Sequence, residues 1–455
     1  MTISRKKRQL FIACIDIILI VAAVYLSLWI RDSRMPSNVR FSRHLSYFIP
    51  IIIVWIVCLY TSGFYSLEIP QTGYRMLSKL SIITVICTLL GFAFFYLNLK
   101  ARVVPKTILV IHSCVAAAMI ALWRWGYSRT TLKHFANTNI AFVGVNETVI
   151  ELLKNMNNFS YMSYRVVFLY TDKSCDYELD GIPIINDLMS FINEIKKNKT
   201  QMIVVANREN MPKTTQNVLF ELLRSHVYFI SLPDFYEIYM RRIPLDAVNE
   251  QWFLTSIHLQ SKKMYRLFKQ TIDVVMAVVF LVITLPFWPF IILLIKIESP
   301  GSAFFRQERT GYLGQVFTII KFRTMRTADN AQGPTEQNDT RITRVGKFLR
   351  KTRIDEIPQF LNIIKADMSF IGPRPERPAL IQKLEGEVPF YRQRLLVKPG
   401  LSGWDQVSGE YHSPSREDTY KKLQNDLYYI KNMSFFLDAS IFFKTLITIF
   451  KMHGL

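Results

Sequence analysis

Two adjacent carboxylates, Asp355 and Glu356, follow a stretch rich in Arg and Lys and precede a Gly-Pro-Arg-Pro turn at residues 372–375. Acidic groups held among many cations are typical of a site that handles a divalent metal and phosphates, which is the chemistry of phosphoryl transfer. Neighbouring residues in a helix point roughly 100° apart, so the two carboxylates are predicted to have distinct roles. One would attack phosphorus, and the other would hold the metal or take a proton. Taken alone, the pair also fits an ordinary helix N-terminus, where carboxylates are favoured.

The basic residues around this pair are predicted to bind phosphate oxygens, for which the guanidinium fork is well suited. The candidates are Lys321, Arg323, Arg350, Arg353 and Arg374. Arg374 differs from the others because Pro373 and Pro375 restrict the backbone on both sides of it. A stiff turn of this kind suits a positioned ligand contact.

The charge run has a second explanation, because an anionic membrane surface attracts basic segments. Arg344, Lys347 and Lys351 are spaced three and four apart, so they line one face of a predicted helix. The chain of 455 residues carries a formal net charge of +21, and half of its residues are hydrophobic. No motif indicates nucleic acid, so lipid headgroups and nucleotides are the anionic partners that this composition predicts.

Two further groups of residues are candidates for ligand contacts. The segment 397–411 combines tight turns with Lys398, Trp404 and Gln406, and such a loop could hold a base, a sugar or a headgroup. The alternative is an ordinary structured loop that covers the core. Asp426 is a candidate metal or substrate ligand, or else a solvated residue of a helix.

The first third of the chain is dominated by apolar segments. They lie at residues 10–30, 47–65, 80–97 and 106–125. Each has about the 20 residues needed to cross a bilayer, which predicts four transmembrane helices within residues 1–128. Basic residues that flank the first and fourth segments predict a cytoplasmic N-terminus, although the loop between the first two segments is also basic.

Residues 137–254 show a different pattern, in which short β-branched runs alternate with helical segments. This alternation predicts βαβ units and a Rossmann-like parallel sheet. The first predicted strand runs into Gly144, but the two further glycines of a dinucleotide fingerprint are missing. We therefore expect this domain to bind no nucleotide cofactor and to act as a spacer, a dimerisation unit or a regulatory unit.

A basic segment and a fifth apolar block follow at residues 261–298. Pro286 interrupts this block, and proline removes a backbone donor and disrupts the preceding helical turn. The block is either a fifth span with a kink or a re-entrant helix that enters and leaves by the same face. We favour the re-entrant form, because a fifth span would move residues 299–455 to the opposite side of the membrane. That last region is predicted to be a mostly helical catalytic domain, with a final apolar segment at 435–450 along the membrane.

The region from about residue 263 to 446 contains FFRQERTG at 304–311, KFRTM at 321–325, RKTRIDEIPQFLNIIKADMSFIGPRPE at 350–376, VKPGLSGWDQV at 397–407 and NDLYYIKNMSFFLD at 425–438. With these motifs it resembles the bacterial sugar transferases, which are polyprenyl-phosphate hexose-1-phosphate transferases. Several separate motifs in the same order make the resemblance specific. The N-terminal spans and the α/β domain resemble the larger members only in architecture.

The resemblance implies roles for particular residues. Asp355 would be the nucleophile that forms an aspartyl-phosphosugar with release of a nucleoside monophosphate, and a polyprenyl phosphate would then attack this intermediate. Glu356 would help hold Mg²⁺ near the phosphates, and Arg350 and Arg374 would bind phosphate groups. The break at Pro286 would correspond to the re-entrant helix of the family. Metal ligands are thus expected among Asp355, Glu356 and Asp426.

The resemblance also implies partners and a location. The expected substrates are undecaprenyl phosphate and a nucleotide-sugar donor, most simply a UDP-hexose. The expected location is the bacterial inner membrane with the active site facing the cytoplasm, and the protein could form a homodimer. Asp405 stands where the family usually has alanine, which bears on substrate identity. The competing hypothesis is a non-catalytic scaffold or regulator of a polysaccharide assembly complex.

Overall fold

The computed structural model describes residues 5–65, 73–97, 106–134, 138–158, 164–172, 181–206, 211–225, 227–326, 339, 341–408 and 415–450. It divides into two compact units, Met1–Phe235 and Tyr236–Leu455. The sequence placed the end of the α/β domain at residue 254, which is later than this division. The reason is that residues after Tyr236, such as Ile243 and Leu245, are buried in the hydrophobic core of the second unit.

Long apolar helices form the first part of the first unit. They are α1 (Arg5–Asp32), α2 (Asn38–Thr61), α3 (Gly73–Leu97) and α4 (Lys106–His134). Each contains a stretch of 18 residues or more that is apolar enough to cross a membrane, and a fifth such stretch lies within Glu250–Glu298. The chain is therefore a multi-pass membrane protein, as the four predicted apolar segments indicated.

A buried ion pair joins the first and last of these helices. Arg124 of α4 donates to the Asp16 carboxylate of α1 at 2.5 Å and to the Phe64 carbonyl oxygen, just after α2, at 2.8 Å. The side chain of Gln9 donates to the carbonyl oxygen of Tyr65 at 3.1 Å. The beginning of α1 thus lies beside the ends of α2 and α4, which is the arrangement of helices that run alternately up and down.

A five-stranded parallel sheet follows, with strand order β3-β2-β1-β4-β5. The strands are β1 (Thr138–Val143), β2 (Tyr164–Tyr170), β3 (Ile184–Ile185), β4 (Met202–Val205) and β5 (Tyr228–Ser231). The helices are α5 (Glu147–Asn158), α6 (Leu188–Lys197), α7 (Lys213–Leu222) and α8 (Leu232–Met240). β-branched strands with both faces covered are typical of such sheets, and the predicted parallel α/β fold is confirmed.

The fifth apolar block is a broken helix in the second unit. After α9 (Glu250–Ser256), α10 covers Lys263–Thr284 and α11 covers Trp288–Glu298, with a 3₁₀ segment at Leu285–Phe287 between them. Pro286 lies inside that segment, so the predicted interruption of the helix is confirmed. Two helices joined by a short 3₁₀ segment therefore make up the fifth apolar block.

The region at residues 299–455, which we predicted to be catalytic, contains more strand than the sequence indicated. An antiparallel hairpin joins β6 (Phe304–Thr310) to β7 (Val316–Phe322), although we expected no extended sheet pattern there. The middle of β6 is Arg-Gln-Glu-Arg, so its sequence lacks the alternation of apolar and polar residues that indicates a strand. The strand is held mainly by its pairing with β7. The remaining elements are α12 (Arg344–Lys351), α13 (Phe360–Ile364), β8 (Ser369–Ile371), α14 (Pro378–Glu387), β9 (Gly400–Ser402), α15 (Trp404–Val407), α16 (Arg416–Asn432) and α17 (Phe435–Phe450).

Candidate active site

The two adjacent carboxylates lie in a short 3₁₀ helix. After α12 ends, Arg353 adopts a left-handed conformation (φ 57°), and the 3₁₀ segment Ile354–Gln359 begins directly after it. The pair thus lies at the start of a helical segment, as one explanation of the sequence indicated. Asp355 and Glu356 occupy the first turn of the 3₁₀ segment, and Pro358 lies inside it. Both side chains are buried, at 7% exposure each.

Three cations converge on one oxygen of Glu356. The Lys321 ammonium on β7 donates to Oε1 at 2.7 Å, and the guanidinium groups of Arg374 and Arg353 lie 3.5 and 3.7 Å from the same atom. Burial by itself would raise the pKa of Glu356, but these three charges together hold it well below its usual range. Glu356 is therefore ionised at neutral pH and fixes the positions of three of the predicted phosphate-binding residues.

Asp355 has a different environment. Its Oδ1 atom is buried and accepts no hydrogen bond from any described residue. Burial, and then the charge of Glu356, raise the pKa of Asp355 to about 6, while Lys321, Arg353 and Arg350 oppose the rise. A buried carboxylate that is ionised at neutral pH, with one oxygen that accepts no hydrogen bond from a described residue, has the character of a nucleophile.

Arg350 contributes to the same electrostatic environment. Its Nε donates to the Thr324 hydroxyl at 2.8 Å, which holds the side chain in place beside the end of β7. Burial lowers the pKa of Arg350, and the charge of Asp355 acts in the opposite direction. Of the predicted phosphate-binding residues, Lys321, Arg350, Arg353 and Arg374 are thus brought to the pair of carboxylates.

The two turn motifs that the sequence separates form a single structure. Strand β8 pairs with β9 in parallel, and beyond β8 the Gly372 amide donates to Ser402 O while the Gly400 amide donates to Pro373 O, both at 2.9 Å. Arg394 donates to the Arg374 carbonyl oxygen at 2.9 Å. The predicted structural role of Pro373 and Pro375 fits this arrangement, in which the Arg374 backbone is held firmly and only its side chain reaches Glu356.

This close approach leads to a prediction. A Cβ at Gly372 would lie 2.4 Å from the Lys398 carbonyl oxygen, whereas a Cβ at Gly386 in α14 would meet nothing within 4 Å. We expect Gly372→Ala to reduce the free energy of unfolding by about 2–3 kcal/mol through overpacking. We expect Gly386→Ala to leave it unchanged or raise it by up to ~1 kcal/mol. Thermal unfolding of both variants in detergent measures this, and equal melting temperatures would contradict the assignment of the turn.

Three residues predicted to contact substrate form hydrogen bonds within the protein. Arg323 is buried and donates to the Pro300 and Ser299 carbonyl oxygens, so it holds the loop after α11. Trp404 is 5% exposed, and its indole N–H donates to Arg241 O at 3.1 Å. Gln406 accepts from the Gly403 amide at 2.9 Å and caps α15. Each of these side chains thus makes a contact within the protein, and its assignment to a substrate contact remains a prediction.

Lys398 is also placed away from the cations around Glu356. Burial lowers its pKa, and the carboxylates that act on it are Asp273 and Asp367 rather than the pair at 355 and 356. The assignment of Lys398 to a substrate contact remains a prediction. Residues 409–411, the end of the same predicted loop, lie outside the described part of the chain.

Asp426 belongs to a separate buried cluster that the sequence analysis missed. Its carboxylate lies 2.8 Å from the Arg394 guanidinium, and both side chains are 2% exposed. Glu376 lies 3.9 Å from Arg394 and 3.6 Å from Arg309, and it also pairs with Lys422. The ion pair with Arg394 gives Asp426 a structural partner, and its assignment as a metal ligand remains a prediction. Glu376 ends the motif at 350–376, but Arg394 lies outside every motif that the sequence analysis singled out, so no sequence signal linked the two.

The carboxylate pair can still accommodate a metal ion. No cluster of three or more His, Cys, Asp or Glu side chains suited to a metal occurs within the described residues. Mg²⁺, however, is commonly bound by one or two carboxylates together with substrate phosphates. The buried Asp355 Oδ1, which lacks a hydrogen-bond partner, fits that pattern. Asp355 and Glu356 are therefore the residues that would hold Mg²⁺.

Comparisons with known proteins find relatives of the region that contains this site. A family model described as "Bacterial sugar transferase" matches residues 264–452, which include every side chain named around Glu356. The chain is 39% identical, over 50% of its length, to a UDP-N-acetylgalactosamine-undecaprenyl-phosphate N-acetylgalactosaminephosphotransferase of Aeromonas hydrophila. It is 30% identical, over 66% of its length, to a UDP-glucose:undecaprenyl-phosphate glucose-1-phosphate transferase of Escherichia coli (strain K12).

The extent of these matches differs between relatives. The chain covers 54% of the Aeromonas protein and 64% of the Escherichia protein, so it spans about half to two thirds of each. It is also 43% identical to a putative undecaprenyl-phosphate N-acetylgalactosaminyl 1-phosphate transferase of Bacillus subtilis (strain 168), covering 29% of this chain and 74% of that protein. The extent of the shared sequence therefore differs from one relative to the next.

Proposed function

Since this chain belongs to the bacterial sugar transferase family, we propose that it transfers a sugar-1-phosphate from a nucleotide sugar to undecaprenyl phosphate. The observation that carries the proposal is the unequal pair of carboxylates. Glu356 is tied to three cations, whereas Asp355 is buried beside them with a free oxygen. The relatives named above act on UDP-linked sugars, so a UDP-sugar is the proposed donor.

The first step follows from the position of Asp355. An Oδ atom of Asp355 attacks the phosphorus that carries the sugar, and the bond from this phosphorus to the bridging oxygen breaks. UMP leaves with that oxygen, and the sugar phosphate stays on the enzyme as an acyl phosphate. Arg374, Arg353 and Lys321 hold the phosphate oxygens through charge-assisted hydrogen bonds. When bound, Mg²⁺ supplies further neutralisation of the diphosphate charge.

The second step releases the sugar phosphate to the lipid. A phosphate oxygen of undecaprenyl phosphate attacks the same phosphorus, and the bond to Asp355 breaks. The products are undecaprenyl diphosphate sugar and the free carboxylate, so no net proton is consumed. A starting point for a surface polysaccharide is the proposed role of this product.

The proposed topology of the broken helix places this chemistry at the membrane surface. Lys269 in the first half of α10 pairs with Asp438 at 2.7 Å, and Asp273 accepts from Ser369 at 2.6 Å. At the other end of the block, Glu298 accepts from the backbone amides of Arg344 and Val345. Both ends of the block therefore contact elements of the second unit, which supports a helix that enters and leaves by one face. We infer a re-entrant helix, with the active site on the cytoplasmic side.

Release of UMP tests the proposed reaction. The purified protein, with undecaprenyl phosphate and Mg²⁺, would be given UDP-glucose, UDP-galactose, UDP-N-acetylglucosamine and UDP-N-acetylgalactosamine in parallel. We expect UMP from one of them, and exchange of labelled UMP into that UDP-sugar without any lipid present, as a covalent intermediate requires. No UMP from any donor would overturn the proposal, whereas UMP release without exchange would overturn only the covalent step.

The pKa of Asp355 predicts the pH dependence of the reaction. Attack requires the ionised carboxylate, so the rate should fall as the pH falls through about 6. Lys321 opposes the rise of this pKa, so Lys321→Met should move the acidic limb of kcat/KM upward by about one unit or more. Lys383→Met, which removes an exposed charge on α14, is the control. An unmoved limb in Lys321→Met would show that Asp355 is not the titrating group.

A further inference from the structure

One face of α12 combines three cations with an exposed aromatic ring. The face begins with Arg344 and continues with the residues three, four and seven positions later, which are Lys347, Phe348 and Lys351. Residues at these spacings share one side of a helix. All four are exposed, and Phe348 is exposed by 61%. None of the three cations forms an ion pair with another described residue. We call these four residues the basic-aromatic face.

The opposite face of α12 fixes the helix to the membrane block. Leu349 is buried in a cluster with Trp288 and Ile295, which lie at the two ends of α11. A Cβ at Gly346 would lie 2.0 Å from the Thr324 carbonyl oxygen, so the helix packs directly against the chain after β7. This packing sets the orientation of α12, so the basic-aromatic face points away from α11 and from the chain after β7.

The position of α12 relative to lipid follows from Glu298. This residue ends α11, and its carboxylate accepts from the amides of Arg344 and Val345 at 2.6 and 2.8 Å. The residue before it, Ile297, is exposed by 73%, and other apolar side chains of α11 are exposed as well. These exposed apolar side chains mark a surface of α11 that faces lipid. The lipid-facing surface thus ends one residue before the group that holds the first turn of α12.

We propose that the basic-aromatic face lies in the headgroup layer and binds the anionic phospholipids of the membrane. Arg and Lys on the polar side of an interfacial helix attract anionic headgroups, and an aromatic ring at that depth inserts between them. The occupant is bulk anionic lipid such as phosphatidylglycerol, rather than the polyprenyl substrate. Because α12 runs directly into Arg350 and the pair at 355 and 356, this contact fixes the height of the active site above the bilayer.

A crosslink to lipid tests this contact without depending on catalysis. A photoactivatable phenylalanine analogue would replace Phe348 in the full chain, reconstituted in nanodiscs of equal parts phosphatidylglycerol and phosphatidylcholine. The matched control carries the analogue at Leu380, an exposed apolar residue of α14. Mass spectrometry should find phosphatidylglycerol adducts at 348 and few at 380. Adducts only to protein, equal adducts at both sites, or adducts to added undecaprenyl phosphate alone would overturn the proposal.

Charge removal gives a second, independent measurement. Combining Arg344→Gln, Lys347→Gln and Lys351→Gln should lower the yield of phosphatidylglycerol adduct at 348 by at least about fivefold, the factor that one cation near an anionic surface is worth. The control combines Lys383→Gln, Arg392→Gln and Lys421→Gln, which removes three exposed charges elsewhere in the second unit. An equal loss in both variants would show that net charge alone, and not this face, attracts the lipid.

Discussion

Asp355→Asn should abolish transfer, with a fall of at least about 10³-fold in the rate of UMP release, because an amide cannot form the acyl phosphate. The same change should abolish exchange of labelled UMP into the UDP-sugar. It should not destabilise the fold. The carboxylate has no hydrogen bond to lose at Oδ1, and burial already disfavours its charge. Rates, exchange and melting temperature would be measured on the same preparation.

The control for Asp355→Asn is a carboxylate outside the candidate active site. Glu385→Gln neutralises a partly exposed carboxylate on α14 that makes only a 3.9 Å contact with Arg392, and it should leave the rate within about twofold. Mass spectrometry of wild type with UDP-sugar and no lipid should show a sugar phosphate on the peptide that contains Asp355. If Asp355→Asn retains exchange, another group is the nucleophile, and Glu356 becomes the first candidate.

Arg394→Met should reduce the free energy of unfolding by about 3–5 kcal/mol, the usual cost of stranding a buried charge. Arg394 and Asp426 are both 2% exposed and lie 2.8 Å apart, so the variant would leave Asp426 without its cation. The Arg374 carbonyl oxygen would also lose a donor. Denaturation of the detergent-solubilised protein would measure the loss, and kcat should fall with it because Arg374 is less well positioned.

Two matched variants separate this pair from general effects. Arg394→Met combined with Asp426→Leu should recover much of the stability, because a buried ion pair can be replaced by apolar side chains at little cost. Arg392→Met, two residues away and 74% exposed, should change stability by less than ~1 kcal/mol. A double variant no more stable than Arg394→Met would contradict the ion-pair explanation.

The pKa of Asp426 predicts how the stability of the Arg394→Met variant depends on pH. Burial raises the pKa of Asp426 to about 6 even with Arg394 present, and removing the cation raises it further. The pKa of Asp426 is higher in the folded state than in the unfolded state, so its charge destabilises the fold at higher pH. Protonation of Asp426 relieves this cost as the pH falls. The stability difference from wild type should therefore shrink as the pH falls towards about 6, where Asp426 also titrates in the wild type, and should change little below it.

The sequence by itself determined the features that depend on neighbouring residues. Apolar runs of bilayer length fixed the membrane helices, the alternation of β-branched runs with helices fixed the parallel sheet, and Pro286 fixed the break in the fifth apolar block. The adjacency of Asp355 and Glu356 and the surrounding cations were also visible. In each case the cause is local, because backbone conformation follows from propensity and periodicity within a few turns.

Only the tertiary structure decided which polar groups meet. Lys321 and Glu356 are 35 positions apart, and nothing near either residue specifies their contact. The same holds for Arg394 with Asp426, and for Trp404, whose indole N–H bonds to a carbonyl 163 positions away. A buried donor or acceptor must find a partner wherever the fold supplies one. The role of each polar residue was therefore settled by the packing of distant segments and not by its own neighbours in sequence.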